Sequence, residues 1–167
     1  MPFSLYEISV PVFIRNLKVL QQLLEKGQAH AAGKEAALTE SRLIADMYPL
    51  TFQVQSACDT AKFHVVRVCG IENVVMEDKE KTFPELQERI AKTIALLEAV
   101  KPDSMDGKEI QEVKGIKRNG VVVPLNGKQY TLEFSVPNFF FHVAMTYALL
   151  RKEGVDVGKN DFLGAYL

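Results

Sequence analysis

The chain has no tryptophan, two cysteines and three histidines among its 167 residues. Two cysteines exclude a disulfide-stapled scaffold and any cysteine-rich zinc ribbon. Cys58 and Cys69 fall on one expected helix, and a rise of about 1.5 Å per residue sets them roughly 16 Å apart, too far to bond. They read as small core residues in a reducing, cytoplasmic setting. Three histidines suffice for one three-histidine metal site and no more. Neither charge dominates, with 20 Lys and Arg against 21 Asp and Glu, which argues against a broad basic face for nucleic acid. No run approaches the roughly 18 apolar residues that cross a bilayer. The opening Met1-Pro2-Phe3-Ser4-Leu5-Tyr6-Glu7 has neither the basic stretch nor the apolar core of a secretory signal. The expectation is a cytoplasmic protein with no nucleic-acid and no membrane partner. The late Gly158-Lys159-Asn160-Asp161 lacks the spacing of a phosphate-binding loop and reads as a turn that docks Phe162 and Leu163.

What is present is apolar content in helical spacing. Hydrophobic residues make up 47% of the chain, ample for a core, and the length suits one domain over residues 1–167. Tyr6, Val10, Phe13, Leu17, Leu20 and Leu24 recur at i, i+3/i+4 and predict a first helix. It begins either at the capping box Ser4-Leu5-Tyr6-Glu7, kinked by Pro11, or at Ser9 with Pro11 in the first turn. A long connection follows, with a short helical turn around Thr39 to Leu43. A second long helix spans about Leu50 to Cys69 and stops at Gly70. One face carries Leu50, Val54, Ala57, Ala61, Val65 and Val68, the other Phe52, Phe63 and Val66, so both sides are expected to be buried. Thr82-Phe83-Pro84-Glu85 is a capping box opening a third helix with Phe83, Leu86, Ile90, Ile94 and Leu97 on its inner stripe.

Residues 107–125 change character. Asn119-Gly120 between Ile110–Lys117 and Val121–Leu125 predicts a hairpin, which must pack on helices to persist. Residues 126–136 read two ways. Tyr130, Leu132, Phe134 and Val136 alternate as in a strand, yet Asn126 is a good helix cap. A last long helix starts by Pro137 or earlier and runs to Lys152. Its consecutive Phe139, Phe140 and Phe141 point to nearly all sides, which predicts burial near its N-terminal end. The fold class is therefore mainly α, a four-helix bundle with a small hairpin between helices three and four.

Asn138, His142 and Thr146 are spaced i, i+4, i+8 and form a polar column on the last helix. Such a column on an apolar helix reads first as a buried hydrogen-bond network. A ligand pocket or a metal site is the sharper alternative. Asp59, beside Phe52 and Phe63, needs a partner. It would meet either His142, building an Asp–His pair fit for general-base work, or Lys62, Arg15 or water. His64 reads as a partly buried, satisfied histidine and His30 as a surface one. Lys62, Arg67 and Arg151 are cations that could hold an anionic ligand or be paired or solvated.

Four segments carry a resemblance that spans almost the whole chain: Pro137-Asn138-Phe139-Phe140-Phe141-His142, Gly158-Lys159-Asn160-Asp161-Phe162-Leu163-Gly164, Asp46-Met47-Tyr48-Pro49-Leu50 and Ser4-Leu5-Tyr6-Glu7. They resemble a family of uncharacterised proteins within the DinB/YfiT-like four-helix-bundle superfamily of proposed metalloenzymes. The resemblance implies a four-helix bundle with a long first connection, often a homodimer. It also implies a divalent metal such as Ni or Zn on three histidines, one from helix two and an H-x-x-x-H pair from helix four. Some relatives act with small thiols such as mycothiol or bacillithiol. Aligned on Leu150-Arg151, His142 takes the second position of that pair and Asn138 the first. On helix two the nearest candidates are Gln55 and Asp59, with His64 beyond them. His142 is the one in-register ligand, so no complete metal site is expected. The expected site is a small-ligand pocket of Gln55, Asp59, Asn138, His142 and Thr146, with His142 and Asp59 as catalytic candidates. A homo-oligomeric interaction protein using the Val121-Val122-Val123 edge is the remaining alternative.

Overall fold

The computed structural model describes residues 3–118 and 121–164. Its element order is α1 (Val10–Ala31), α2 (Glu35–Thr39), α3 (Leu50–Cys69), α4 (Phe83–Glu98), β1 (Glu112–Arg118), β2 (Val121–Asn126), α5 (Gly127–Gln129), a π-type stretch over Tyr130–Ser135, α6 (Val136–Lys152) and α7 (Lys159–Leu163). The four long helices close a ring, with α1 against α4, α4 against α3, α3 against α6 and α6 against α1. Among the described residues no helix is long and apolar enough to cross a membrane.

The apolar stripes decide this packing. Val10, Phe13, Leu17, Leu20 and Leu24 of α1 are buried with Leu50, Val54, Ala57, Ala61 and Val65 of α3 and Phe83, Leu86, Ile90 and Leu97 of α4. Pro11 lies in the first turn of α1, where its missing N–H costs nothing. The Ser4–Glu7 box does form, Glu7 N–H donating to Ser4 Oγ at 3.1 Å, but it closes a separate turn ahead of the helix. Thr82 caps α4 and Glu85 returns the bond, Thr82 N–H donating to Glu85 Oε2 at 2.9 Å. The expected short helix near Thr39 to Leu43 instead occupies Glu35–Thr39. Helix α3 ends at Gly70, whose φ of 72° is the left-handed conformation that glycine adopts freely.

β1 and β2 pair antiparallel, Val113 opposite Leu125 and Ile116 opposite Val123, with a register shift between. The Asn119-Gly120 turn falls outside the described residues. Of the two readings of residues 126–136 the helical one holds: β2 ends at Asn126, which caps the helix that follows. Asn126 Oδ1 accepts from Gln129 N–H at 2.8 Å, and Gln129 Oε1 accepts from Asn126 N–H at 3.2 Å. The helix entered at Asn126 reaches Lys152, and it meets Pro137 on the way. Proline removes one N–H and its ring crowds the carbonyl four residues back. The wider π-type turns lie immediately before it, where that bond is lost. The base of the hairpin seals the start: a Cβ at Gly127 would fall 2.2 Å from the Lys108 carbonyl oxygen, so only glycine fits.

Two burial expectations change. Phe139 is fully buried and Phe140 half-buried, but Phe141 is 52% exposed, so the start of α6 has a solvent side. Phe52, Phe63 and Val66 of α3 are half-buried rather than enclosed. At the C-terminal end, Asp161 accepts from Gly158 N–H at 2.7 Å and pairs with Lys26 at 2.7 Å. This docks Phe162 against Tyr147, while Leu163 remains 41% exposed.

Candidate functional site

Helices α3 and α6 run antiparallel, and the side-chain bonds across their seam show it. Gln53 meets His142, Thr60 meets Asn138, His64 meets Ser135 and Arg67 meets Tyr130. The seam does not close along its outer edge. A cleft of about 240 Å³ remains, lined by Phe52, Ser56, Asp59, Thr60, Phe63 and Arg67 of α3, Tyr130, Phe134, Asn138 and His142 of the opposing helix, and Asp78. The half-buried phenylalanines of α3 are its wall.

His142 has a defined tautomer. Gln53 Nε2 donates to the Tyr48 carbonyl at 3.1 Å, which turns Gln53 Oε1 toward the imidazole. Nδ1 lies 2.8 Å from that oxygen and must donate to it. The lone pair is then on Nε2, which has no hydrogen-bond partner among the described residues and is not sealed from solvent as the Nε2 of His64 is. Burial disfavours the charged ring and lowers its pKa to about 4. At neutral pH the cleft therefore presents an uncharged acceptor. Next to it, Thr60 Oγ1 donates to the Ser56 carbonyl at 2.7 Å and accepts from Asn138 Nδ2 at 2.8 Å, and Asn138 Oδ1 has no hydrogen-bond partner among the described residues.

Asp59 lines the cleft but turns toward α4. Its Oδ1 is 3.1 Å from Lys62 Nζ and 2.9 Å from Arg89 Nη2. No hydrogen bond joins it to His142, so of the two alternatives the pairing with Lys62 is made and the Asp–His pair is not. Lys62 and Arg89 are both buried. Arg89 Nη2 also lies 2.9 Å from Asp78, and Nη1 donates to Glu80 at 3.0 and 3.1 Å and to the Glu77 carbonyl. The contacts of Nη2 are close but are not in-line hydrogen bonds, so they act as charge contacts. Asp59 and Glu80 favour the charged guanidinium and raise its pKa against the opposing effect of burial. This cluster straps residues 77–80 to α3 and α4.

Of the five expected site residues, Asp59, Asn138 and His142 line the cleft. Gln55 does not: its Nε2 donates to Glu80 at 3.1 Å on the α4 side. Thr146 is buried below the cleft and donates to the His142 carbonyl within its own helix. His30 is exposed. His64 is fully buried rather than partly so, and only half satisfied. Ser135 donates to the Thr131 carbonyl, so it accepts from His64 Nδ1 at 2.9 Å, while His64 Nε2 is a buried atom with no partner. Burial lowers its pKa to about 3. Both cysteines are free, and burial pushes the Cys58 thiol up to about 12, leaving it inert as a nucleophile.

A larger groove of about 900 Å³ lies between residues 74–80 and α4. Its charged side chains satisfy one another in the pairs Glu77–Lys79, Glu88–Lys92 and Glu80–Arg89. The uncommitted polar atoms are in the smaller cleft, which is therefore the better candidate. Among the described residues no three His, Cys, Asp or Glu side chains are grouped as a metal ion would require.

No curated protein matches the chain. A crystal structure of a DinB family member protein from Shewanella denitrificans is similar to it at 36% identity, covering 96% of this chain and 92% of that one with a TM-score of 0.89. The model of a domain of unknown function, DUF1993, matches residues 5–163. The chain thus belongs to the DUF1993 family and has the helical-bundle fold of the DinB proteins.

Proposed function

We propose that this DinB-like protein binds a small organic molecule in the cleft between α3 and α6, without the complete three-histidine metal site of its superfamily. The carrying observation is the open lone pair of His142, held as a neutral acceptor by Gln53 and flanked by Asn138 Oδ1. Neither atom is sealed in the core, and a few convergent polar groups beside aromatic walls are the usual make-up of a ligand pocket. The donor set argues against a Ni or Zn site. Where three imidazoles are needed, the seam offers one imidazole, an amide and a hydroxyl, and His64 is turned into the core.

A neutral imidazole with an open Nε2 is also the acceptor half of a general base. Catalysis is the second reading, with His142 acting alone because Asp59 is committed elsewhere. A fragment screen on protein with 15N-labelled histidine tests the binding reading. Hydroxyl- and amine-bearing aromatic fragments should shift the His142 ring signals and leave those of His64 in place. Fragments that bind only elsewhere, with His142 undisturbed, contradict it.

A further inference from the structure

We infer that the ligand of the cleft is an anion, a small molecule whose carboxylate or phosphate group is held by Arg67. This rests on the cleft being a ligand site and adds the chemical class of the ligand.

The cations around the cleft are in different states. Arg89 is surrounded by Asp59, Asp78 and Glu80, and Lys62 is paired to Asp59. Their charge is spent inside the fold. That cluster holds one more carboxylate than cation, and its outermost member, Asp78, is exposed, where solvent screens it. Arg67 is different. It is half-buried and lines the cleft, and it has no carboxylate within ion-pair distance among the described residues. Its guanidinium carbon lies 5.1 Å from the Phe63 ring and 5.5 Å from the Tyr130 ring, a setting that fixes the head group without neutralising it.

Among the described residues its head group makes one hydrogen bond, which leaves recognition capacity. Nη1 donates to the Tyr130 hydroxyl at 2.7 Å. Tyr130 is fully buried, so its phenol oxygen orients the guanidinium from behind and is not itself presented to the ligand. The remaining N–H groups of the guanidinium form a fork of donors, which suits the two oxygens of a carboxylate or phosphate. The rest of the cleft sets the ligand's other features. Tyr130 and His142 are twelve positions apart on the opposing helix, which is roughly 18 Å along an ideal axis. Phe63 and Phe134 stand between these ends. The anion sits at the Arg67 end, an apolar or aromatic body lies against the phenylalanines, and a donor group points toward His142.

The test compares three probes of one shape, benzoate, phenyl phosphate and benzamide, by titration followed in the Arg67 Nε–H and His142 ring signals. An anion should bind at least about tenfold tighter than benzamide, the size of a charge-assisted contact. Whichever of benzoate and phenyl phosphate binds tighter tells carboxylate from phosphate. Arg67→Gln should remove the preference and Arg67→Lys should retain part of it, each with an unchanged circular dichroism spectrum. Equal binding of benzoate, phenyl phosphate and benzamide, read at Arg67, overturns the anion inference while leaving the cleft a ligand site. A preference that survives Arg67→Gln also overturns it. If none of the three shifts either signal, both the anion inference and the ligand-site reading fail.

Discussion

His64 and His142 occupy the same seam between α3 and α6, yet they do opposite things. Both rings are neutral because burial disfavours their charged forms, and both donate from Nδ1 to a side-chain oxygen. The difference lies in what faces Nε2. At His64 that atom is sealed from solvent in a ring packed by Phe13, centroid 5.3 Å away, and by the stacked Tyr130 ring at 6.0 Å. At His142 the neighbouring rings Phe52 and Phe141 stand at 6.1 and 5.1 Å, edge-on, and Phe141 is on the surface. One histidine is packing with an unsatisfied atom. The other is packing on one side and a presented lone pair on the other. Burial of a histidine does not by itself distinguish structure from function; the environment of its second nitrogen does.

Substitutions sharpen that contrast. His64→Ala should be the most damaging change, costing about 3 kcal/mol in urea denaturation, because it leaves a cavity in a closed core. His142→Ala should cost less than half of that, since its ring borders a cleft that water already reaches. Equal losses would mean the cleft is closed in solution.

Acid comes next. The folded-state pKa of His64 is about 3, against an ordinary value of 6.5. The unfolded chain therefore binds a proton first as pH falls. The stabilisation is fully present above pH 6.5 and is lost progressively as pH drops toward 3, at up to about 1.4 kcal/mol per pH unit. His142 adds a similar but shorter contribution between 6.5 and about 4. Denaturation midpoints recorded between pH 7 and 4 check this, and His64→Phe should flatten the profile more than His142→Phe.

Gln53→Ala should cost about 1–2 kcal/mol, because it strands the Nδ1–H of His142 in a buried position. It should also release the ring to the other tautomer, which histidine 15N shifts would show. Phe141→Ser should be smallest, within about 0.5 kcal/mol, and a larger loss would mean that the exposed ring covers the seam.

Much of the bundle was legible in the sequence. The stripes of α1, α3 and α4 and the Thr82–Glu85 box work locally, through neighbours three and four residues apart. The Ser4–Glu7 box follows the same pattern, a hydroxyl residue with Glu three positions on, but closes a detached turn, since Pro11 starts the helix afresh. Residues 126–136 read two ways for a definite reason. A π-type stretch buries Tyr130, Thr131 and Ser135, a phase that matches neither a strand nor an α-helix.

The site was half legible. Asn138 and His142 share a helix face, so spacing alone associates them. The partners did not show because they come from distant segments. Arg89, which claims Asp59, is thirty positions further along on α4. Gln53 lies among Leu50, Val54 and Ala57 on α3, and its one sequence-level signal is a glutamine on an otherwise apolar face.

The central claim is that His142 presents an open, neutral Nε2 to the cleft. A 15N spectrum of the histidine side chains across pH 7 to 4 tests it most directly. The account predicts an Nδ1–H tautomer for His142 at pH 7, still neutral at pH 5 and titrating near 4, with His64 neutral throughout. An Nε2–H tautomer at pH 7, or an imidazolium formed near pH 6.5, would contradict it.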